Sequence, residues 1–295
     1  MLKNLSRSSI VKAHKRPAFL IPAKQLSTIR KSKMAPEAKS DRPLTLISFD
    51  VDGTLIESVG EKSNYLHKQA FRVGMKNVFN IDEDIDCIKH HGSTDPLILI
   101  KVLEYSGFKR EEILSKLKDV EAEMVNYFLS HKDEASVGLR MLPGVKNLLQ
   151  HLKSLEDVET CLVTGNFEPI GWAKMQELGI YDYFSDPHFG GFGSDHCSGD
   201  TIDTWKDRSE FIRIAARKCE RLHGRPVTRH FHVGDATADM LAALNAEATP
   251  LGVTTGAFTK EQLEGCGEGV IIVGNLADTD RISNVLGVAA PAKAM

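Results

Sequence analysis

The feature that most constrains this chain is the stretch LTLISFDVDGTL, residues 44–55. Its first half, Leu44–Phe49, is apolar and rich in residues that favour extended structure, which predicts a buried strand. Asp50 and Asp52 follow this strand directly. Alternate side chains of an extended segment point the same way. Both carboxylates are therefore expected at the carboxyl end of a strand, where open α/β sheets bind their ligands. Gly53 permits a sharp turn there.

Two plainer explanations of this stretch are a polar turn after a strand and a fragment of a calcium loop. A calcium loop of the EF-hand type needs further oxygen ligands and a closing glutamate. Thr54 and Leu55 follow the two aspartates instead. Calcium binding is therefore a poor fit, and a functional turn after a buried strand is the favoured interpretation.

Two later apolar segments, Val158–Val163 and Arg229–Val233, are also predicted to be core strands. The second leads into Gly-Asp-Ala-Thr-Ala-Asp, which contains Asp235 and Asp239. These two acids share a face if a helix has begun between them. A plainer explanation is a helix N-cap followed by a first-turn acid, which the helix dipole favours.

In chain order, these segments resemble the motifs of the haloacid dehalogenase-like (HAD) hydrolase superfamily. The D-x-D-G-T at Asp50 resembles the first motif, Thr164 at a strand tip the second, and the G-D-x-x-x-D that ends at Asp239 the fourth. The resemblance spans about residues 44–280. It implies an α/β fold with a Rossmann-like parallel sheet core, helices on both faces and an inserted α-helical cap domain.

The third motif of the family is a Lys or Arg just before a helix, and two residues compete for it. Lys206 lies nine residues before Ala215, which fits the family's register, but both prolines of the usual pattern are missing. Family members with a Gly-Ser-Asp-His loop carry Asp-Arg at this place, which favours Arg208. A guanidinium neutralises phosphate charge as well as an ammonium does. Arg208 is the preferred candidate.

The region from Glu57 to about Arg140 is predicted to be almost entirely helical. Helices are expected at Ser63–Phe79, from Asp95 to about Gly107, and at Arg110–Ser130. An insert here resembles the cap of the HAD subgroup that includes phosphoglycolate phosphatase and β-phosphoglucomutase. The expected domains are therefore a core at 41–57 and 141–290 and a cap at 58–140.

Within this cap, His91–Asp95 could form a loop that faces the active site. For Asp95 the preferred role is a helix N-cap, because Pro96 follows at the first helical position. His67, His90 and His91 are expected to be solvated or packed. After the second core strand, the chain predicts a helix at Phe167–Leu178 and a strand at Phe184–Phe192 before a glycine-rich loop.

The resemblance also implies a mechanism. Asp50 would attack phosphorus to give an aspartyl-phosphate, and Asp52 would serve as general acid and then base. The metal is expected to be Mg²⁺, bound by Asp50, Asp52 through its backbone carbonyl, Asp235 and Asp239. The phosphoryl oxygens are expected to be held by Thr164, Gly165, Asn166 and Arg208 or Lys206.

The expected function is Mg²⁺-dependent hydrolysis of a small phosphomonoester, most like phosphoglycolate. A β-phosphoglucomutase-like phosphotransferase is the nearest alternative. A non-catalytic binding protein on the same scaffold is an alternative of another class. Such a protein would be expected to lose an acid from the set, whereas Asp50, Asp52, Asp235 and Asp239 are all present.

Charge is distributed unevenly along the chain. The first 36 residues hold nine Lys and Arg and no acid, which leaves 28 basic against 40 acidic residues, a net charge of −12, in the remainder. A basic, serine-containing start is typical of a mitochondrial or plastid transit peptide. A disordered basic arm that binds nucleic acid or acidic surfaces and a cytoplasmic form begun at Met34 are the alternatives.

The composition of the chain after its basic start argues against nucleic acid, a membrane and zinc as partners. So acidic a body argues against general nucleic-acid binding, and no apolar run is long enough to span a membrane. The five scattered cysteines form no C-x-x-C pair, which indicates neither a disulfide framework nor a zinc site. The expected partner is a small phosphorylated metabolite.

Overall fold

The computed structural model describes residues 43–288 and contains a parallel sheet and a two-stranded ribbon. The strands are β1 (Leu44–Phe49), β2 (Ile56–Ser58), β3 (Leu139–Met141), β4 (Val158–Thr164), β5 (Gly190–Phe192), β6 (Val227–Gly234), β7 (Thr249–Val253) and β8 (Ile271–Val273). Six of them pair in parallel in the order β5-β4-β1-β6-β7-β8, and β2 pairs antiparallel with β3. The first predicted strand therefore lies in the middle of the sheet.

The helices of residues 43–288 are α1 (Tyr65–Phe79), α2 (Asp95–Tyr105), α3 (Arg110–Ser130), α4 (Val145–Lys153), α5 (Glu168–Glu177), α6 (Trp205–His223), α7 (Thr237–Asn245), α8 (Lys260–Glu264) and α9 (Thr279–Val285). Helices of the core, such as α4 and α6, cover the sheet on both faces, whereas α1, α2 and α3 lie between β2 and β3. All six residues of β1 are buried, and its four apolar side chains divide between two hydrophobic clusters. Leu44 and Leu46 pack with α6 and α7, whereas Ile47 and Phe49 pack with α4 and α9. The expected Rossmann-like α/β core is confirmed.

Residues 59–138, called here the helical insert, lie between β2 and β3 and contain α1, α2 and α3. Their side chains form a third hydrophobic cluster. Phe167, Ile170 and Ala173, which belong to the core, are part of the same cluster. The insert is therefore packed onto α5 through apolar side chains.

The ribbon at the base of the insert differs from the expectation of an almost entirely helical region. Ile56 pairs with Met141 and Ser58 pairs with Leu139. Each strand has only three residues, too few to show an alternating pattern. Its partner lies about eighty residues away along the chain, so the pairing becomes visible only in the folded molecule.

The predicted strand Phe184–Phe192 is too long. Only Gly190–Phe192 is a strand, paired with the end of β4. Pro187 lacks the N–H that a central strand would donate, and its presence argued against a strand over the whole segment.

The basic N-terminal segment lies outside the residues that the structure describes, so the targeting prediction for residues 1–40 stays a prediction. Among residues 43–288, no helix combines the length and the apolar character that crossing a bilayer requires.

Candidate active site

The functional side chains converge because three neighbouring strands end at the same edge of the sheet. Asp50 follows β1, Thr164 ends β4, and Asp235 follows β6. In the sheet, β1 lies between β4 and β6. Asp239 comes from the first turn of α7, and Arg208 from the first turn of α6. The edge predicted from the sequence is therefore the place where the candidate residues meet.

Asp50, Asp235 and Asp239 form a buried carboxylate cluster, with one oxygen from each within 4.8 Å of the others. Burial, followed by repulsion from Asp239 and Asp52 against the attraction of Arg208, raises the pKa of Asp50 to about 6. Burial and repulsion from Asp239 and Asp50 raise the pKa of Asp235 to about 8. Burial and the closeness of the acids thus disfavour ionisation of Asp50 and Asp235 in the metal-free protein. Three carboxylates in this state suit a hard divalent cation that prefers oxygen ligands.

The backbone around Asp235 leaves no room for side chains. A Cβ atom on Gly53 would lie 2.4 Å from Asp235 Oδ2, and one on Gly256 would lie 1.6 Å from the same atom. Gly53 also has a φ of 93°, which side-chain-bearing residues rarely adopt. Both glycines are therefore required for the chain to close around this carboxylate.

Arg208 bridges two carboxylates of the cluster and is only 3% exposed. Its Nη1 lies 2.8 Å from Asp50 Oδ1 and 2.9 Å from Asp239 Oδ1. Burial alone would raise the pKa of Asp239, but Arg208 and then His232 hold it below its usual value. Within the described structure, the buried Nε of Arg208 has no hydrogen-bond partner, so this donor is available to an anion.

Lys206 does not reach the site. Its side chain is 50% exposed, and its Nζ lies 2.7 Å from Asp203 and 3.3 Å from Asp200. Residues 206 and 208 are two positions apart on α6, which turns them about 200° apart around the helix axis. Of the two candidate cations, Arg208 lies against the carboxylate cluster and Lys206 does not.

The Asp52 carboxylate has hydrogen-bonding partners of its own, which differ from those of the carboxylate cluster. Lys174 Nζ lies 2.8 Å and 3.0 Å from its two oxygens, and Asn166 Nδ2 donates at 3.1 Å. Burial alone would raise the pKa of Asp52, but Lys174 and then His67 hold it below its usual value. Asp52 is therefore a carboxylate in this arrangement.

The predicted phosphate-binding segment at the end of β4 lies beside Asp52. Asn166 donates from its backbone N–H and its Nδ2 to Thr164 Oγ1, at 3.4 Å and 3.3 Å. Gly165 contacts the insert, and its carbonyl accepts from the Asp95 N–H at 2.8 Å. All three residues line the same cavity as Asp50 and Arg208.

This cavity has a volume of about 470 Å³ and lies between the sheet edge and the helical insert. The core contributes the acids and Arg208, and the insert contributes residues of α1 and of the loop before α2. The insert residues include Asn64, His67, Lys68, His90, His91, Gly92 and Ser93. The loop at His91 thus faces the site, as the sequence suggested it could.

The N-cap role expected for Asp95 is wrong. Thr94 holds the N-cap position, and Asp95 is the first residue of α2. The buried Asp95 carboxylate accepts from the Phe167 N–H at 3.0 Å, and the same oxygen lies 3.0 Å from His67 Nε2. Asp95 therefore joins the insert to the core.

Two groups in and behind the site were missed by sequence reasoning. The first is Lys174, whose only sequence signal is a lysine within the apolar stretch of α5. The second is a buried chain in which Ser48 Oγ lies 3.1 Å from His232 Nδ1, and His232 Nε2 lies 3.3 Å from Asp239 Oδ1. Ser48 and His232 are neighbours across β1 and β6, a pairing that no local pattern reveals.

The sheet order, the insert and the acid–arginine centre together define a class: α/β proteins with a helical insert and a buried centre of carboxylates and an arginine at the strand ends. The family model of haloacid dehalogenase-like hydrolases matches residues 44–247, more than half of the chain. The chain belongs to this family and is a hydrolase.

Similar proteins agree with this assignment. The chain is 26% identical over 219 residues to a phosphoglycolate phosphatase of Neisseria meningitidis, covering 71% of this chain and 80% of that protein. It is 26% identical over 218 residues to a phosphoglycolate phosphatase of Agrobacterium fabrum, covering 74% of this chain and 84% of that protein.

Solved structures show the same fold. A hydrolase from Pseudomonas syringae has a TM-score of 0.54 at 20% identity and covers 84% of this chain and 100% of its own. A β-phosphoglucomutase from Clostridium difficile has a TM-score of 0.54 at 18% identity, with 83% and 98% covered.

Proposed function

We propose that this chain is a Mg²⁺-dependent phosphatase that hydrolyses a small phosphomonoester of the phosphoglycolate type through an aspartyl-phosphate on Asp50. The observation that carries the proposal is that Asp50, Arg208 and Asp235 line one cavity, with the fully buried Asp239 behind them in contact with Arg208. The two relatives named as phosphoglycolate phosphatases support the type of ester.

The phosphoryl group would bind between Arg208 and the end of β4. Arg208 offers a buried Nε that has no partner among the described residues, and the buried Oγ of Ser93 is likewise unpaired there. Both residues line the cavity with Thr164 and Asn166. A phosphoryl dianion accepts hydrogen bonds on several oxygens, so these donors suit it.

Asp50, Asp235 and Asp239, with the backbone carbonyl of Asp52, would hold Mg²⁺. The closeness of one oxygen from each of the three carboxylates supports this assignment. The raised pKa values of Asp50 and Asp235 agree with it, because burial and repulsion between the acids disfavour their ionised forms when no cation is bound. When bound, Mg²⁺ would neutralise charge on the phosphoryl oxygens and on the carboxylates around them.

Asp50 would act as the nucleophile. Its Oδ forms a bond to phosphorus while the bond from phosphorus to the leaving oxygen breaks. Arg208 keeps Asp50 oriented through the 2.8 Å contact. Because charge is spread over the phosphoryl oxygens in the transition state, a fixed guanidinium stabilises that state more than it would in water.

Asp52 would move the protons. Lys174 favours the ionised form of Asp52, so Asp52 has no proton of its own to donate. A monoanionic ester would first transfer its proton to the Asp52 carboxylate, and Asp52 would then pass that proton to the leaving oxygen. Asp52 then takes a proton from the water that attacks phosphorus in the aspartyl-phosphate. Free phosphate leaves, Asp50 is restored as a carboxylate, and Asp52 returns to its ionised form by passing its proton to the departing phosphate or to solvent.

The test is phosphate release from a panel of 2-phosphoglycolate, sugar phosphates, nucleotides and pyrophosphate, with Mg²⁺ and with EDTA. We expect metal-dependent release concentrated on one small ester. Isomerisation of a sugar phosphate without phosphate release would instead indicate a mutase. No reaction by the folded protein with any of these compounds would contradict the proposal.

A further inference from the structure

Lys174 is a fully buried lysine in α5 that does not line the active-site cavity as the structure describes it. Its helix neighbours Ile170, Ala173 and Met175 are buried in apolar clusters. A charged group costs free energy in such surroundings unless it is paired. An apolar side chain would fill this position at a lower cost in free energy of folding. The role of the charge therefore depends on the groups that the Lys174 ammonium contacts.

The first contact of Lys174 is with Asp52. Its Nζ lies 2.8 Å from Asp52 Oδ2 and 3.0 Å from Oδ1. An ammonium that contacts both oxygens restricts rotation of the carboxylate about its own bond. Asn166 adds a third contact, from Nδ2 to Oδ2 at 3.1 Å. The carboxylate is thus held from the core side, with 35% of the side chain exposed toward the cavity.

The second contact of Lys174 is with the helical insert. Its Nζ lies 3.3 Å from His67 Nδ1, and His67 Nε2 lies 3.0 Å from Asp95 Oδ2. An ammonium has only donors, so Nδ1 accepts, and the ring proton sits on Nε2, from which it is donated to Asp95. The His67 ring is packed between Phe71 and Phe128, at centroid distances of 5.0 Å and 6.1 Å.

We propose that Lys174 is a positioning residue that fixes the Asp52 carboxylate for work on the leaving oxygen, and that His67 and Asp95 of the insert hold Lys174 in turn. The proposal rests on the phosphatase function proposed above. Lys174 acts through Asp52, because its ammonium is enclosed by Asp52 and His67 and does not face the cavity. Asp52 would therefore be fully placed only with the insert packed onto the core.

This role has a consequence for the choice of ester. A poor leaving group, such as an alkyl oxygen, needs its proton delivered as the bond breaks, whereas a 2,4-dinitrophenolate leaves without one. Loss of a correctly placed Asp52 should slow the first kind of ester much more than the second. A general loss of structure would slow both kinds equally.

The experiment compares the wild type, Lys174→Met and Lys206→Met on 2,4-dinitrophenyl phosphate and on the alkyl ester that the wild type hydrolyses best. Methionine matches lysine in length and suits an apolar site. We expect Lys174→Met to lower kcat/KM about 10²-fold for the alkyl ester, as a misplaced general acid does, and about threefold or less for the aryl ester. Lys206→Met, a surface control, should change neither.

A second comparison keeps the test independent of how well Lys174→Met folds. His67→Phe retains the ring packing and removes only the contacts with Lys174 and Asp95, so it should show the same preference to a smaller extent. When Asp52 is already replaced by Asn, adding Lys174→Met should lower kcat/KM for the alkyl ester little further, because the two residues act as a unit.

Equal losses on both esters, or an undiminished loss in the Asp52→Asn background, would overturn the positioning role while leaving the phosphatase function intact. A wild type that hydrolyses neither ester would overturn the proposed function, and the role of Lys174 with it.

Discussion

At the scale of single residues, Arg208 decides how the carboxylate cluster is neutralised. It contacts Asp50 and Asp239 through the same nitrogen. Without it, Asp50 and Asp239 would lose the Lys or Arg partner that the structure of residues 43–288 places against them. Under the proposed function, Asp50 would then be less well oriented toward phosphorus.

We predict that Arg208→Met lowers kcat/KM about 10²- to 10³-fold, the usual cost of removing one charge-stabilising donor. Arg208→Lys keeps the charge but loses the planar fork, so an intermediate loss is expected. Lys206→Met is the matched control and should stay within about twofold of the wild type. Steady-state kinetics at saturating Mg²⁺ measures all three. A larger loss for Lys206→Met than for Arg208→Met would show that the wrong cation has been assigned.

Asp50 and Asp235 predict a pH dependence of stability. Their pKa values are raised from 3.8 to about 6 and about 8, so the metal-free folded chain binds protons that the unfolded chain has lost. The free energy of unfolding should therefore fall as pH rises from about 4 to about 8, and then level off. Asp52 and Asp239, whose pKa values are lowered, contribute in the opposite sense only at lower pH.

Thermal unfolding in EDTA at pH values from 5 to about 8 measures this pH dependence. The Tm should fall by about 2–4 °C for each kcal/mol of unfolding free energy lost. Mg²⁺ competes with the bound protons, so its stabilising effect should grow over the same range. Asp235→Asn should weaken the dependence on both pH and Mg²⁺. A Tm that rises with pH in EDTA, or that ignores Mg²⁺ at pH 8, would contradict the assigned cluster.

At the scale of elements, the helical insert and the end of β4 make a close backbone contact at Gly165. A Cβ on Gly165 would lie 2.6 Å from Ser93 O and 2.7 Å from Thr94 Cα. Both are backbone atoms that cannot rotate away. Any side chain at this position must therefore displace the loop before α2.

We predict that Gly165→Ala lowers kcat/KM about 10²-fold, because a displacement of about 1 Å at a catalytic centre has that effect. The control is Gly171→Ala in α5, where the nearest atom to a new Cβ lies at an ordinary 3.6 Å. That substitution should preserve activity and stabilise the chain by about 0.5–1 kcal/mol. Kinetics and thermal unfolding distinguish the two variants. Wild-type kcat/KM in Gly165→Ala would argue against a close fit of insert and core.

Also at the element scale, the sequence was informative where a pattern is local. β1 is continuous and apolar and ends in D-x-D-G-T, so both the strand and its acids were predictable. β2 and β3 were not, because each is stabilised by a partner distant in sequence. Lys174 was missed for the same reason: its partners Asp52 and His67 are 122 and 107 residues away. Asp95 was misassigned because Pro96 suggests a helix start without showing which residue is the cap.

At the scale of the whole molecule, the cavity is lined on one side by charged residues at the edge of the parallel sheet and on the other by the helical insert. The sheet edge brings Asp50, Thr164 and Asp235 together from three strands. The insert adds His67 and the loop at His91 on the opposite side of the cavity. Sites between such layers restrict the access of water to the reacting groups. We therefore propose that the insert contributes to the choice of ester, whereas the reacting carboxylates belong to the core.

The central claim is that Asp50 is the nucleophile of a metal-dependent phosphatase. The most direct measurement is phosphate release from 2-phosphoglycolate and p-nitrophenyl phosphate by the wild type and Asp50→Asn, each with Mg²⁺ and with EDTA. We predict that the wild type releases phosphate only with Mg²⁺. Asp50→Asn should release phosphate at a rate lower by about 10³-fold or more, with an unchanged circular dichroism spectrum. Release that persists in Asp50→Asn, or that is indifferent to EDTA, would contradict the account.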